Sequence, residues 1–390
     1  MERLNNTVFS LDSRIFSGYY SDKYFCRTKE ILEKDKHNPI VVMQIFQRND
    51  NACICGIDEA ITILREGLGE SAKLLEIHAL HDGDIANAWE TIMTIEGPYN
   101  LFAHLETVYL GALARGTKVA TNVYRCFKEA NEKPILFFPA RFDSYLVQAK
   151  DGYSFDIGRK AANSKHGGVS TDAQGSWWGS EGLGTIPHAL IAAYYGDTVE
   201  ATMKFSEYMP SEIKRVALVD FENDCVRTAN SVAVKMFYQY YKSNMKDERF
   251  KLHAVRLDTS GSMVDRSISE KMDDREFIGS FKPTGVNPML VQLVRNRLDD
   301  LSAKYGCEYF EEIKIVVSGG FDHEKIKEFE SKKVPVDMYG VGSSMFNGNF
   351  DFTADIVLIK QDDNNQYQDC SKKGRRYNKN SRLSLVKEQT

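Results

Sequence analysis

The sequence predicts an α/β protein in which an irregular β/α barrel follows an α+β module. Three observations carry this. From about residue 134 onward, short apolar runs rich in β-branched residues alternate with helical patterns. Most of these runs end in a glycine turn or a carboxylate, so polar groups gather at strand exits. Residues 314–345, KIVVSGGFDHEKIKEFESKKVPVDMYGVGSSM, then set out strand, glycine turn, helix, strand and glycine turn in succession. A right-handed parallel βαβ unit is the economical solution for that order. In it, 314–317 and 336–339 are strands, and Asp322 caps a helix that buries Ile326 and Phe329. Roughly six or seven strand–helix steps favour a barrel, with a doubly wound sheet as the alternative.

The elements ahead of the barrel are mixed. Ser21-Asp22 opens a helical pattern through Leu32, and Asn38-Pro39 ends it before a strand at 40–47. An amphipathic helix is expected over 56–67 and a strand over 74–80, with a turn at His81-Asp82-Gly83. Residues 86–95 alternate weakly. Two helical patterns, 101–113 and 119–130, are joined through Arg115-Gly116-Thr117. The barrel's first strand is ILFFPARF (135–142). Residues 152–184 are glycine-rich and poorly patterned, with a weak strand at 166–171. GTIPHALIAAYYG (184–196) starts at a turn and becomes a helix. RVALVDFEND (215–224) and HAVRLDTSG (253–261) read as buried strands ending in carboxylates. A helix over 288–304 and a last strand over 355–360 complete the chain. The expected domains are 1–125, 126–346 and a C-terminal strand and basic tail, 347–390, packing back on the first.

A net charge of −5 argues against a general nucleic-acid binder. It leaves anionic small molecules open, because amides and arginines can make a local positive site. Seven scattered cysteines suit reduced cytosolic thiols better than a disulfide framework. Cys53-x-Cys55 lacks obvious partners, so no protein metal site is assigned. MERLNNTVFS has no leader-like layout and no apolar run reaches membrane length, so a soluble, cytoplasmic protein without membrane contact is expected. Lys372, Lys373, Arg375, Arg376, Lys379, Arg382 and Lys387 make the tail basic. It reads as a solvated, surface-bound or frayed terminus, with nucleic-acid contact the alternative.

Strand exits supply the candidates for chemistry. Asp258 can accept hydrogen bonds from paired sugar hydroxyls, and Arg256 can hold a carboxylate or phosphate; a structural Arg–Asp pair is the plain alternative. Asp220 carries the same ambiguity. Arg141 follows an apolar strand, and Phe138 is either a ring-stacking residue or core. His188, near a helix start, is a packing histidine or a nucleophile able to accept a phosphoryl group. Ser318, Gly319, Gly320, Gly340 and Gly342 can offer amides and a hydroxyl to a phosphate.

SDKYFCRTKEIL, FPARF, GTIPHALI, ALVDFEND, VRLDTSG, VVSGGFD and YGVGSSM, in that order, resemble the nicotinate phosphoribosyltransferase family in its shorter, archaeal-like branch, over about residues 19–346. The resemblance implies a type II phosphoribosyltransferase barrel with an N-terminal open-faced sandwich domain. It implies that nicotinate and 5-phosphoribosyl-1-pyrophosphate give nicotinate mononucleotide, with Mg²⁺ and with ATP hydrolysis as the driving step. His188 would then be transiently phosphorylated. Tyr24, Phe138, Arg141, Thr185 and Arg256 would surround nicotinate, and Asp258 would serve the ribose. Ser318, Gly319, Gly320, Gly340 and Gly342 would cradle the 5′-phosphate. A homodimer or larger homo-oligomer is implied as well. Ser260-Gly261-Ser262 stands where family members often carry another acid, which leaves the Mg²⁺ ligands open. Nicotinamide or quinolinate as the base, and a barrel that binds a phosphoribosyl ligand without turnover, are the competing readings.

Overall fold

The computed structural model describes residues 3–4, 8–272, 281–360 and 366–387. The chain divides into two compact units. One comprises Met1–Tyr124, Ala149–Asn163 and Phe346–Thr390, the other Arg125–Gln148 and Ser164–Met345. In chain order the strands are β1 (Ile40–Phe46), β2 (Ala52–Cys53), β3 (Glu76–Ala79), β4 (Ile85–Ala86) and β5 (Thr91–Pro98) in the first unit. Six more belong to the second: β6 (Ile135–Phe137), β7 (Gly167–Val169), β8 (Arg215–Leu218), β9 (Leu252–Leu257), β10 (Lys314–Val317) and β11 (Met338–Val341). The first unit regains the chain with β12 (Thr353–Lys360), β13 (Tyr367–Asp369) and β14 (Ser384–Leu385).

The first unit is an antiparallel sheet in the order β13-β12-β1-β5-β3-β14. β1 lies between β12 and β5, which explains why IVVMQIF is almost continuously apolar. The helix Ile57–Leu68 buries Ile57, Ala60, Ile61 and Leu64. These pack with Met43, Ile45, Ile77 and Ile95 of the sheet in one core. Asp82 Oδ1 accepts the Ile57 amide at 2.8 Å, satisfying a donor at the helix start.

Two helical expectations need correction here. The patterns at 101–113 and 119–130 belong largely to one continuous helix, Glu106–Glu129. Gly116 does not break it. A Cβ at this position would meet Cys55 O at 2.7 Å, so the glycine admits the 55–56 backbone against the helix. The poorly patterned stretch after Gly152 falls partly in another helix, Gln148–Ala161. Its buried positions include Asp151, Ser154, Asp156 and Gly158, which is why no apolar period marks it. Arg115 holds Asp151 through two bonds of 2.9 and 2.8 Å.

The basic tail is not frayed over its described residues. β13 pairs with β12 and β14 with β3. Arg375 meets Asp355 at 2.5 Å and Arg382 meets Glu90 at 2.8 Å.

The second unit is a parallel sheet ordered β7-β6-β11-β10-β9-β8. The strands are neighbours in chain order, and the last, β11, pairs with the first, β6. A doubly wound sheet would reverse direction at a switch point; this order runs round a barrel, left open between β7 and β8. β11 starts two residues later than expected, because its register sets Val317 beside Tyr339. ILFFPARF is a strand only to Phe137, and Pro139–Phe142 forms a 3₁₀ turn.

Candidate active site

Parallel strands in register deliver their exits to one rim. Side chains two apart on a strand share a face, and this divides the barrel interior into layers. Val216, Ala254 and Val316 form one apolar layer, with Leu136 and Met338 against them. Two residues further along each strand stand Leu218, Arg256, Ser318, Phe138 and Gly340. A further step reaches Asp220, Asp258, Gly320 and Gly342. The expected site residues of this unit thus fall mainly at the strand ends and in the exit segments directly after them.

The middle level is tightly joined. Arg256 Nε donates to Ser318 Oγ at 2.8 Å and Nη2 donates to Asp258 Oδ2 at 3.0 Å. Ser318 Oγ donates to Asp258 Oδ1 at 2.7 Å. Arg256, Asp258 and Ser318 therefore orient one another, and each carboxylate oxygen keeps a lone pair for a ligand hydroxyl. The guanidinium carbon lies 4.9 Å from the Phe138 ring centroid. Gly340 lies inside β11, and a Cβ there would stand 2.6 Å from Phe138 Cε2 and 3.0 Å from Ser318 Cβ. The missing side chain gives Phe138 its place.

Gly319 and Gly320 form the turn after β10 with φ of +83° and +70°, a backbone that side chains rarely adopt. Asp322 caps the following helix, His323–Ser331, by accepting the Lys325 amide at 2.9 Å. Across the rim, Phe142 packs where a Cβ of Gly342 would stand 3.1 Å from its ring. The Arg141 guanidinium is 5.7 Å from that ring's centroid.

His188 begins the short helix His188–Ala193. Ile186, fully buried, belongs to one apolar cluster with Leu218. Two residues beyond each, His188 Nε2 meets Asp220, 3.0 Å from both carboxylate oxygens. Burial pushes the Asp220 carboxyl above its usual range; the His188 contact opposes that, and the Asp258 charge adds to it. Thr185 is half-buried in the segment leading to His188. Tyr24 belongs to the first unit, on the helix Lys23–Asp35, with its ring exposed beside Phe25.

The sequence left Asp220 undecided, because its partner lies 32 residues away and only folding joins them. Two rim aromatics were not singled out: Phe142, and Phe221, whose ring centroid is 6.4 Å from that of His188. Their exposure, 50% and 37%, is the signal that marks them, and it exists only in the fold.

Comparison with known proteins agrees with this architecture. Residues 22–117 match the family described as quinolinate phosphoribosyl transferase, N-terminal domain. No curated protein matches the chain in sequence. Among solved structures, a nicotinate-nucleotide pyrophosphorylase from Pyrococcus furiosus is similar at 26% identity, with a TM-score of 0.72 over 99% of this chain and 86% of that one. Human nicotinic acid phosphoribosyltransferase is similar at 14% identity, with a TM-score of 0.61 over 87% of this chain and 75% of that one. A nicotinate-nucleotide pyrophosphorylase from Francisella tularensis shares 13% identity, with a TM-score of 0.53 over 91% of this chain and 99% of that one.

The chain has the fold of the type II phosphoribosyltransferases, and phosphoribosyl transfer is the class of reaction that the fold and these likenesses support. Which member of that class it is depends on the base it accepts.

Proposed function

We propose that this protein is an ATP-coupled nicotinate phosphoribosyltransferase of NAD synthesis. The observation that carries the reading is the Arg256–Asp258–Ser318 triangle set against the Phe138 ring. Arg256 Nη1 has no partner among the described residues, so the guanidinium can take a carboxylate while its other nitrogens stay anchored. Nicotinate presents one carboxylate on a flat ring, and Phe138 and Thr185 would line the space for that ring. Arg141 completes the set that the second unit offers for nicotinate.

The pyridine nitrogen attacks C1 of the phosphoribosyl donor without needing a base. The bond to pyrophosphate breaks with oxocarbenium character on the ribose, so catalysis rests on holding the parts in line and stabilising the leaving group. Asp258 would hold the ribose hydroxyls through its remaining lone pairs. The Ser318-Gly319-Gly320 turn, with Gly342, would hold the 5′-phosphate; Gly340, expected to share this role, lies inside β11 and makes room for Phe138 instead. Mg²⁺ in such reactions is bound through substrate phosphates with one or two carboxylates. Asp220 and Asp258 are the carboxylates this rim offers.

ATP enters as a co-substrate. With its Nε2–H donated to Asp220, His188 would leave Nδ1 unprotonated and able to accept the γ-phosphoryl group. Phosphorylation adds negative charge beside the rim, a means of linking ATP to substrate affinity and product release.

The match of residues 22–117 to a quinolinate family favours a second reading, quinolinate phosphoribosyltransferase. Quinolinate carries two carboxylates and would need more positive charge. In the second unit, the named cations Arg141 and Arg256 are balanced by Asp220 and Asp258, which suits a single carboxylate better. The test offers nicotinate, nicotinamide or quinolinate with phosphoribosyl pyrophosphate and Mg²⁺, with and without ATP, and measures mononucleotide and ADP. The proposal expects product from nicotinate, stimulated by ATP. Product from quinolinate with release of CO₂, or from nicotinamide alone, would replace the base. Product from none would indicate a binding protein.

A further inference from the structure

We propose that the second unit carries a separate binding pocket for a small polyphosphate, built from three arginines outside the substrate rim. A cavity of about 610 Å³ lies among the helices Cys225–Lys242, Arg266–Ser269 and Pro288–Tyr305. Its volume is in the range of small-molecule sites. It is lined by Arg227, Arg266, Lys271 and Arg297 against the acids Asp224 and Glu270, and by none of the residues assigned to the reaction.

The arginines share one arrangement. Arg227 Nε stands 3.1 Å from Asp224 Oδ2, and Arg266 Nε donates to Glu270 Oε1 at 2.9 Å. Arg297 Nε donates to Asn230 Oδ1 at 3.0 Å. Each guanidinium is oriented through Nε, and among the described residues the terminal Nη groups have no partner. Those paired N–H groups are the edge that grips phosphate oxygens two at a time. The two acids offset Arg227 and Arg266, while Arg297 is held by a neutral amide, so the three arginines leave a net positive charge.

The walls are pre-organised. Arg266 N donates to Asn223 O at 2.9 Å, Asn223 Nδ2 to Val264 O at 2.8 Å, and Cys225 N to Asp265 Oδ2 at 2.9 Å. These bonds lace the segment after β8 to the segment after β9. A ligand would meet a formed pocket and lose little affinity in ordering it. Three forked cations suit a chain of phosphoryl groups, as in inorganic tripolyphosphate or the tail of a nucleoside triphosphate.

Calorimetric titration without Mg²⁺, base or phosphoribosyl donor tests this without turnover, so its result stands apart from the choice of base. Inorganic tripolyphosphate and ATP are titrated separately into wild-type protein, the Arg227→Gln/Arg297→Gln variant and Gly319→Ala, which disturbs the phosphate turn of the rim. Melting curves confirm folding; the two arginines are exposed, so their replacement should leave stability unchanged. The double variant should lose one binding event, or weaken it about tenfold or more, while Gly319→Ala keeps it. Tighter binding of ATP than of tripolyphosphate would mark a nucleotide site, and equal binding a site for the phosphate chain alone. Unchanged binding in the double variant, or loss of all binding in Gly319→Ala, would overturn the proposal.

Discussion

His188 Nε2 stands 3.0 Å from both oxygens of Asp220, with the imidazole side chain 46% exposed and the carboxylate side chain 8% exposed. A carboxylate in that position selects the tautomer with its proton on Nε2 and leaves Nδ1 unprotonated, as the proposed phosphoryl acceptor requires. Asp220→Asn removes the selection, because the amide can turn its NH₂ toward the ring. Phosphorylation of the protein by labelled ATP should fall by about 10²–10⁴-fold. In the wild type, ³¹P NMR should place the phosphoryl group on Nδ1. Undiminished labelling of the Asn variant would end this role for Asp220.

Arg256 joins Asp258 and Ser318 through different nitrogens, which a lysine cannot reproduce. Arg256→Lys should therefore behave as a loss. It should cost about 3 kcal/mol of transition-state binding, on the order of 10² in kcat/KM for nicotinate. Steady-state kinetics with nicotinate varied would check this, and a lysine variant within threefold of wild type would contradict it.

Gly116 reverses the ordinary expectation for a helix. Alanine at an interior helix position usually stabilises by about 1 kcal/mol relative to glycine. At Gly116 the new Cβ would lie 2.7 Å from Cys55 O and 2.9 Å from Cys55 C, both backbone atoms that cannot swing aside. Gly116→Ala should destabilise by about 1–3 kcal/mol in denaturant titrations. A gain in stability would show that the two segments separate more easily than this contact implies.

Gly116 also shows where the sequence was legible and where it was not. Strands β8 to β11 announce themselves because each is a buried run stopped by a carboxylate or glycine, and Asp322 announces its helix by capping it. Gly116 resembles a break because sequence shows the missing side chain but not the backbone that needs the room. The helix Gln148–Ala161 escaped for the opposite reason: its buried face is partly polar, and Arg115 satisfies one of those acids from elsewhere in the chain. Individual candidate residues are legible as polar groups at strand exits. The Phe138 ring seated against Gly340 depends on the pairing of β6 with β11, about 200 residues apart, and the His188–Asp220 pair on the segment before β8 folding back to that strand's exit, 32 residues on.

Glu106 sets a pH dependence in the first unit. Burial, with Asp355 and Asp22 nearby, pushes its carboxyl up to about 8 from an ordinary 4.5. Between those values the folded protein keeps a proton that the unfolded chain has released, so this group's contribution to stability declines as pH rises through the window. Glu106→Gln removes the titration. The stability difference, wild type minus variant, should decrease by on the order of 2–4 kcal/mol from pH 5 to pH 8 in denaturant titrations. A difference independent of pH would show that Glu106 is already ionised across that range.

The most direct measurement of the central proposal is the ratio of kcat/KM for nicotinate to that for quinolinate, with saturating phosphoribosyl pyrophosphate, Mg²⁺ and ATP. A rim in which Asp220 and Asp258 balance Arg141 and Arg256 predicts a ratio well above one, about 10² or more, with ADP formed as nicotinate mononucleotide appears. A ratio below one, with CO₂ released and no dependence on ATP, would contradict the account and make the protein a quinolinate enzyme.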